Sequence, residues 1–160
     1  MNHIANLLPL SNVIVDLDVS SKKRVFEQIG LLFENNQHIA HSQVFDSLFA
    51  REKLGSTGLG RGVAIPHGRI KGMKEAIGAV VRTGQPIPFD APDGQNVRLI
   101  FVLLVPERAT DLHLQILSEL AEMFSEPAFR EQLLEAPTAV DLHRLISDWQ
   151  PHAAQHSKAV

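Results

Sequence analysis

Seven consecutive apolar residues, Leu99-Ile100-Phe101-Val102-Leu103-Leu104-Val105, constrain this chain more than anything else in it. The run is far too short to cross a bilayer, which takes roughly 20 residues as a helix. An uninterrupted apolar run of this length reads as a strand buried on both faces, so other layers must cover it above and below. The flanking segments supply helices for those layers. Val25, Ile29, Leu32 and Phe33 recur at helical spacing behind a Ser20 or Ser21 cap. Val44, Phe45, Leu48 and Phe49 form a second stripe behind Ser42, with Gly55 as the stop. After the strand, Leu112, Ile116, Leu120 and Met123 follow a cap at Thr110 or Asp111. Ser125 opens another helix, with Pro127 tolerated in its first turn. Thr138 and Asp141 have the spacing of a capping box ahead of Leu142, Leu145 and Ile146. Further strands are expected at 13–15, at 63–65 (stopped by Pro66) and at 76–81. The proline-rich stretch 83–96 reads as a loop with a short extended piece at 87–89. The element order is β-α-α-β-β-β-α-α-α, and the expected fold class is α/β, a three-layer α/β/α sandwich.

A chain of 160 residues is the size of one domain, expected over 1–150, with a polar frayed tail over 151–160. With 44% hydrophobic and 21% charged residues, wholesale disorder is excluded. The absence of cysteine removes disulfides, thiolate zinc sites and cysteine nucleophiles together. The formal charge is −3 and only Lys22-Lys23-Arg24 cluster, so no basic face offers itself to nucleic acid. The first residues lack the basic and apolar regions of a secretory signal, and no segment inserts into a membrane. A soluble, cytoplasmic protein is expected.

Most of the eight histidines carry no chemical signal. His3, His152 and His156 fall in expected frayed ends, His38 and His41 in a solvated gap between helices, and His143 on the last helix as a surface or boundary residue. His67 and His113 remain. Pro66 removes a ladder donor, so pairing should stop there, and Gly68 leaves open space beside His67. By that context alone an ordinary loop histidine is the more common reading. The preceding stretch Gly55-Ser56-Thr57-Gly58-Leu59-Gly60-Arg61-Gly62 is too glycine-dense for a regular element, and its N–H groups could form an anion-binding nest. Arg51, Arg61 and Arg69 lie near it in sequence, and guanidinium groups suit phosphate oxygens. It is neither a Walker A loop nor a dinucleotide fingerprint, since it leads into a strand. His113 falls in the first turn of a helix, whose positive end favours the neutral imidazole and a nearby phosphoryl group. An imidazole can form a covalent phosphoryl adduct suited to relay. Two other classes of function stay open: a module holding an anion or nucleotide without a covalent step, and a metal hydrolase using His67, His113 and Asp111.

The segment from Leu54 through Gly55-Ser56-Thr57-Gly58 to Ile65-Pro66-His67-Gly68-Arg69 resembles the active-site block of the fructose/mannitol-type IIA domains of the bacterial phosphoenolpyruvate phosphotransferase system. Leu104-Val105-Pro106-Glu107, His113-Leu114-Gln115 and Ala121-Glu122-Met123-Phe124 resemble the nitrogen-related branch of that family. The likeness runs from about Leu7 to Trp149. It implies a mixed sheet between helical layers. It implies that His67 accepts the phosphoryl group on Nε2, that His113 lies beside it and orients or stabilises it, and that Arg51 holds the phosphoryl group. Ser56, Thr57, Gly58 and Gly68 are the expected phosphoryl-binding loop. The implied donor is an HPr- or NPr-type histidine phosphocarrier. The implied outputs are nitrogen, potassium and metabolic regulation through a protein target such as a potassium-transport or sensor-kinase protein. A IIA component feeding a sugar-specific IIB is the alternative within the family. No cofactor or metal is called for.

Overall fold

The computed structural model describes residues 3–108 and 111–151. Thr110, His152, His156 and the expected tail beyond Pro151 lie outside the described residues. Two single-turn 3-10 segments, Ala5–Leu7 and Leu10–Asn12, lead into strand β1 (Val13–Leu17), helix α1 (Lys22–Gln37) and helix α2 (His41–Lys53). Strands β2 (Gly58–Gly60), β3 (Val63–Ala64), β4 (His67–Ile70), β5 (Ile77–Ile87) and β6 (Val97–Pro106) follow. Helices α3 (Asp111–Ser125), α4 (Pro127–Glu135) and α5 (Ala139–Asp148) end the series.

The six strands form one mixed sheet, ordered β1-β5-β6-β3-β2, with β4 continuing beside β6 where β3 stops. β6 runs antiparallel to β5 and parallel to β3 and β4. Its side chains alternate as a doubly covered strand requires. Leu99, Phe101, Leu103 and Val105 join the core built by Ile116, Leu120 and Met123 of α3, Leu133 of α4, and Leu142 and Ile146 of α5. Ile100, Val102 and Leu104 join the core of Val25, Phe26, Ile29 and Phe33 of α1 with Val44 and Leu48 of α2. Phe26 stacks edge-on against both Phe49 and Phe89 there. The structure is the three-layer sandwich the apolar run demands.

Several local expectations need correction. The glycine-dense stretch contains a regular element, β2, which pairs with β3 through a two-residue turn at Arg61-Gly62. Both turn residues have positive φ, the backbone that matches strand twist in a tight hairpin. Pairing does not stop at Pro66: His67 is the first residue of β4 and lies opposite Leu103. β5 runs on to Ile87 through an irregularity after Arg82, where a loop was expected. Ser21 caps α1 by accepting from the Arg24 N–H, but Ser42 caps nothing. The Glu34 carboxylate of α1 accepts from the His41 N–H at 2.9 Å instead. That bond, foremost, holds the Glu34 carboxyl below the usual carboxylate range. Ser125 closes α3 by donating to the Glu122 carbonyl, and Glu126 is the residue before α4. Asp111 is the first residue of α3 rather than its cap. Thr138 caps α5 as read, accepting from the Asp141 N–H.

The minor histidines are also better tied than expected. His3 sits 2.7 Å from Glu119. His38 ends α1 in the left-handed conformation, His41 begins α2, and His143 Nε2 meets the Leu8 carbonyl at 2.8 Å.

One buried cation had no sequence signal. Arg82 of β5 is 3% exposed and donates through Nη1 to the carbonyls of Leu133 and Ala136, at 2.9 and 2.7 Å. It thereby satisfies the carbonyl end of α4, where positive charge is favoured. Arg82→Met keeps the apolar stem but orphans those carbonyls, so it should lower stability by roughly 2–3 kcal/mol. Denaturant unfolding checks this; a change under about 0.5 kcal/mol would show that water replaces the guanidinium there.

Candidate active site

His67, Arg51, Gly68 and His113 meet in one open cleft of about 770 Å³ between α2, β4, the end of β6 and the start of α3. Leu103 and Val105 form part of its wall, and Asp111, Arg69, Leu54 and Leu114 also line it. Because β4 continues parallel to β6 from His67 onward, the histidine is held by a ladder and not by a mobile turn.

The hydrogen bonds fix the imidazole. Nδ1 lies 3.1 Å from the Ile65 carbonyl, two residues back. A carbonyl only accepts, so Nδ1 carries the proton. Arg51 Nε donates to Nε2 at 3.3 Å, and a guanidinium only donates, so Nε2 presents its lone pair. The ring is therefore neutral, with its nucleophilic nitrogen toward the cation. Arg51 Nη1 in turn donates to the Gly55 carbonyl at 2.9 Å, which anchors the guanidinium at the end of its own helix. His113 lies in the first turn of α3, as its position in sequence suggested, and is buried there.

Ser56, Thr57 and Gly58 are placed elsewhere: none of them lines the cleft. Ser56 Oγ donates to the Phe89 carbonyl at 2.7 Å and accepts from the Gly58 N–H. The Thr57 hydroxyl and N–H both donate to the Glu52 carboxylate, at 2.6 and 3.0 Å. Glu52 is buried and also pairs with Lys22 of α1 at 2.9 Å. This buried carboxylate latches the loop to both helices, and so sets the Gly55 carbonyl that Arg51 uses. The expected anion nest is filled from within. Asp93 accepts from the Arg61 N–H at 2.7 Å, a bond that holds its carboxyl below the usual aspartate range, with the Gln95 N–H adding to it. Asp93 was missed because an isolated acid 32 residues from its partner leaves no periodic trace, and Glu52 because an acid at the end of a helix reads as an ordinary surface charge.

Gly68 does not open a space; it admits a helix. A Cβ there would collide with Ser47 Oγ and stand 3.2 Å from the Ser47 carbonyl carbon. Ser47 Oγ cannot swing away freely, since it donates to the Arg69 carbonyl. Arg51 lies one helical turn beyond Ser47 on α2. Gly68→Ala should therefore push α2 off β4, costing about 1–3 kcal/mol and separating Arg51 from His67. A Gly68→Ala/Ser47→Ala pair should recover part of the stability in thermal unfolding; no coupling between the two would refute the contact as the cause.

Among the described residues, no three His, Asp or Glu side chains gather as a metal site, although His67, His113 and Asp111 share the cleft. No helix among them is long and apolar enough to cross a membrane.

A mixed sheet between helical layers thus places His67 at the start of a strand, with Arg51 facing its Nε2. The chain belongs to the family described as phosphoenolpyruvate-dependent sugar phosphotransferase system, EIIA 2, whose model matches residues 6–149. Within it, the chain is 44% identical over 151 residues to a nitrogen regulatory protein of Pseudomonas aeruginosa, covering 94% of this chain and 98% of that one. It is 40% identical to the nitrogen regulatory protein of Escherichia coli, covering 80% and 79%. The crystal structure of nitrogen regulatory protein IIA-Ntr from Neisseria meningitidis matches with a TM-score of 0.86 at 54% identity, covering 91% of this chain and 99% of that one. IIA mannitol from Escherichia coli shares the fold at 17% identity, with a TM-score of 0.71.

Proposed function

We propose that this protein is a phosphohistidine carrier that accepts a phosphoryl group on Nε2 of His67 and acts mainly as a regulator. The observation that carries this reading is the locked tautomer: Ile65 holds the proton on Nδ1 and Arg51 faces the lone pair on Nε2. Transfer from a carrier phosphohistidine breaks one N–P bond and forms another at Nε2. The leaving carrier nitrogen keeps its electron pair, and Nδ1 of His67 keeps its proton. No general acid or base is needed. As the phosphoryl group arrives, the Arg51 N–H turns from Nε2 to a phosphoryl oxygen, where charge-assisted bonding is strong. His113, buried against the same cleft, orients or stabilises the phosphohistidine. Of the expected loop, only Gly68 reaches the cleft, so Thr57 acts through the Glu52 latch, and Ser56 through its bonds to the Phe89 carbonyl and the Gly58 N–H, rather than on the phosphoryl group.

The upstream partner is an HPr- or NPr-type phosphocarrier in the cytoplasm. The names of the similar proteins support a nitrogen-regulatory output; the target proposed for it is a protein such as a potassium-transport or sensor-kinase protein. Phosphorylation adds up to two negative charges beside exposed Leu54 and Leu114, enough to change which partner docks there. Intact mass after incubation with phosphoenolpyruvate, Enzyme I and an NPr-type carrier tests the reading. One added phosphoryl group, lost in mild acid, is expected. An unmodified protein beside a fully charged carrier would refute it and leave a non-covalent anion-binding module.

A further inference from the structure

Toward the other end of β6 lies a second cavity, of about 380 Å³, that the phosphoryl chemistry does not use. Its wall carries three arginines from three elements: Arg61 at the β2–β3 turn, Arg98 of β6 and Arg130 of α4. Glu131 is the one acid, and Leu99 and Leu134 supply an apolar side. The lining has a surplus of two positive charges, reduced to one when the Asp93 carboxylate on the Arg61 N–H is counted, and this surplus is local, because the chain as a whole carries −3. Among the described residues, none of these four charged groups has an ion-pair partner within 4.0 Å. Leu99, in this wall, and Leu103, in the His67 cleft, are four residues apart on β6, or about 13 Å.

The arginines are held in place by the backbone. Arg98 donates through Nε and Nη2 to the Thr83 carbonyl, at 3.1 Å each, and Arg130 donates through Nη1 to the Phe124 carbonyl at 2.6 Å. Neither bond uses Arg98 Nη1 or Arg130 Nη2. The Arg61 backbone is pinned by Asp93, which fixes where that side chain starts. Guanidinium groups positioned before a ligand arrives lose little freedom when they bind one, and their forked donors match phosphate oxygens.

The geometry points to a second site that binds a small phosphate monoester. Three arginines converging on one cavity match the oxygens of a phosphate group. The volume is at the low end for small-molecule sites and excludes a dinucleotide. Leu99 and Leu134 face the short carbon skeleton that an ester adds to a free phosphate. Such a site gives the protein a metabolite input separate from His67, and it stands whether or not His67 is phosphorylated.

Titration of the full chain with glycerol 3-phosphate, followed by amide NMR, tests it. Saturable shifts at 61–62, 95–99 and 127–131 are expected, with a dissociation constant below about 1 mM. Arg61→Gln/Arg130→Gln should weaken binding at least tenfold, and Arg61→Glu alone should do the same if the double variant folds poorly. Arg98 is left intact because it closes the β5 irregularity. Shifts confined to residues 51, 67–69 and 111–114 would place the anion in the His67 cleft and overturn the proposal. So would the absence of saturation, or variants that bind as the wild type does. Equal affinity for inorganic phosphate would overturn the assignment to an ester.

Discussion

His67→Ala is expected to take up no phosphoryl group from a charged NPr-type carrier while keeping the wild-type fold. The loss is complete, not graded, because the acceptor atom is gone. The structural cost is modest. The variant deletes one hydrogen bond to the Ile65 carbonyl and one from Arg51. Leaving a buried carbonyl without its partner costs about 1–3 kcal/mol, a fraction of the roughly 5–15 kcal/mol that holds a domain folded. The ladder between β4 and β6 involves the backbone of residue 67 and persists in alanine. Intact mass and circular dichroism on the same sample separate the outcomes. A folded variant that still gains an acid-labile phosphoryl group would move the acceptor to another histidine, with His113 the first to examine. A variant that gains none and has unfolded would leave the assignment undecided by this substitution, and His67→Gln, which retains a polar side chain of similar length, then serves as the decisive form.

The sequence made the layers legible because hydrophobic patterning is a one-dimensional record of burial. Residues 99–105 could only be a doubly covered strand, and β6 is one. Pairings between remote residues leave no such record. β2 and β4 are short, and one contains glycines while the other follows a proline; both look like breakers until the partner strand is known. The cleft was legible in the same uneven way. His67, His113, Arg51 and Gly68 do meet there. Ser56 and Thr57 do not, because small hydroxyl residues beside glycines serve equally well as ligands for phosphate or as internal latches. Only the positions of remote partners decide between the two: buried Glu52 for Thr57 and the Phe89 carbonyl for Ser56. The anion nest shows the same ambiguity. Its backbone geometry was inferable from the glycines, but its occupant, Asp93, comes from a loop 32 residues away.

Arg51→Ala should slow phosphoryl acceptance by about 10²–10³-fold, the cost of removing one preorganised donor from developing charge. Stability should change little, since the group it leaves unpaired at the loop, the Gly55 carbonyl, belongs to an exposed residue that water can reach. The comparison with Arg51→Lys carries the argument further. Lysine preserves the charge but has a single ammonium on a flexible stem. It cannot reach both the Gly55 carbonyl and Nε2 of His67, as Arg51 does through Nη1 and Nε. If charge alone matters, lysine restores nearly the full rate. If the anchored fork matters, lysine recovers no more than about tenfold, because most of the donor's value lies in being aimed before the phosphoryl group arrives. The anchored form is expected here. Rapid-quench kinetics with a precharged carrier would read both variants, and a rate within threefold of wild type in Arg51→Ala would remove the guanidinium from the transfer step altogether.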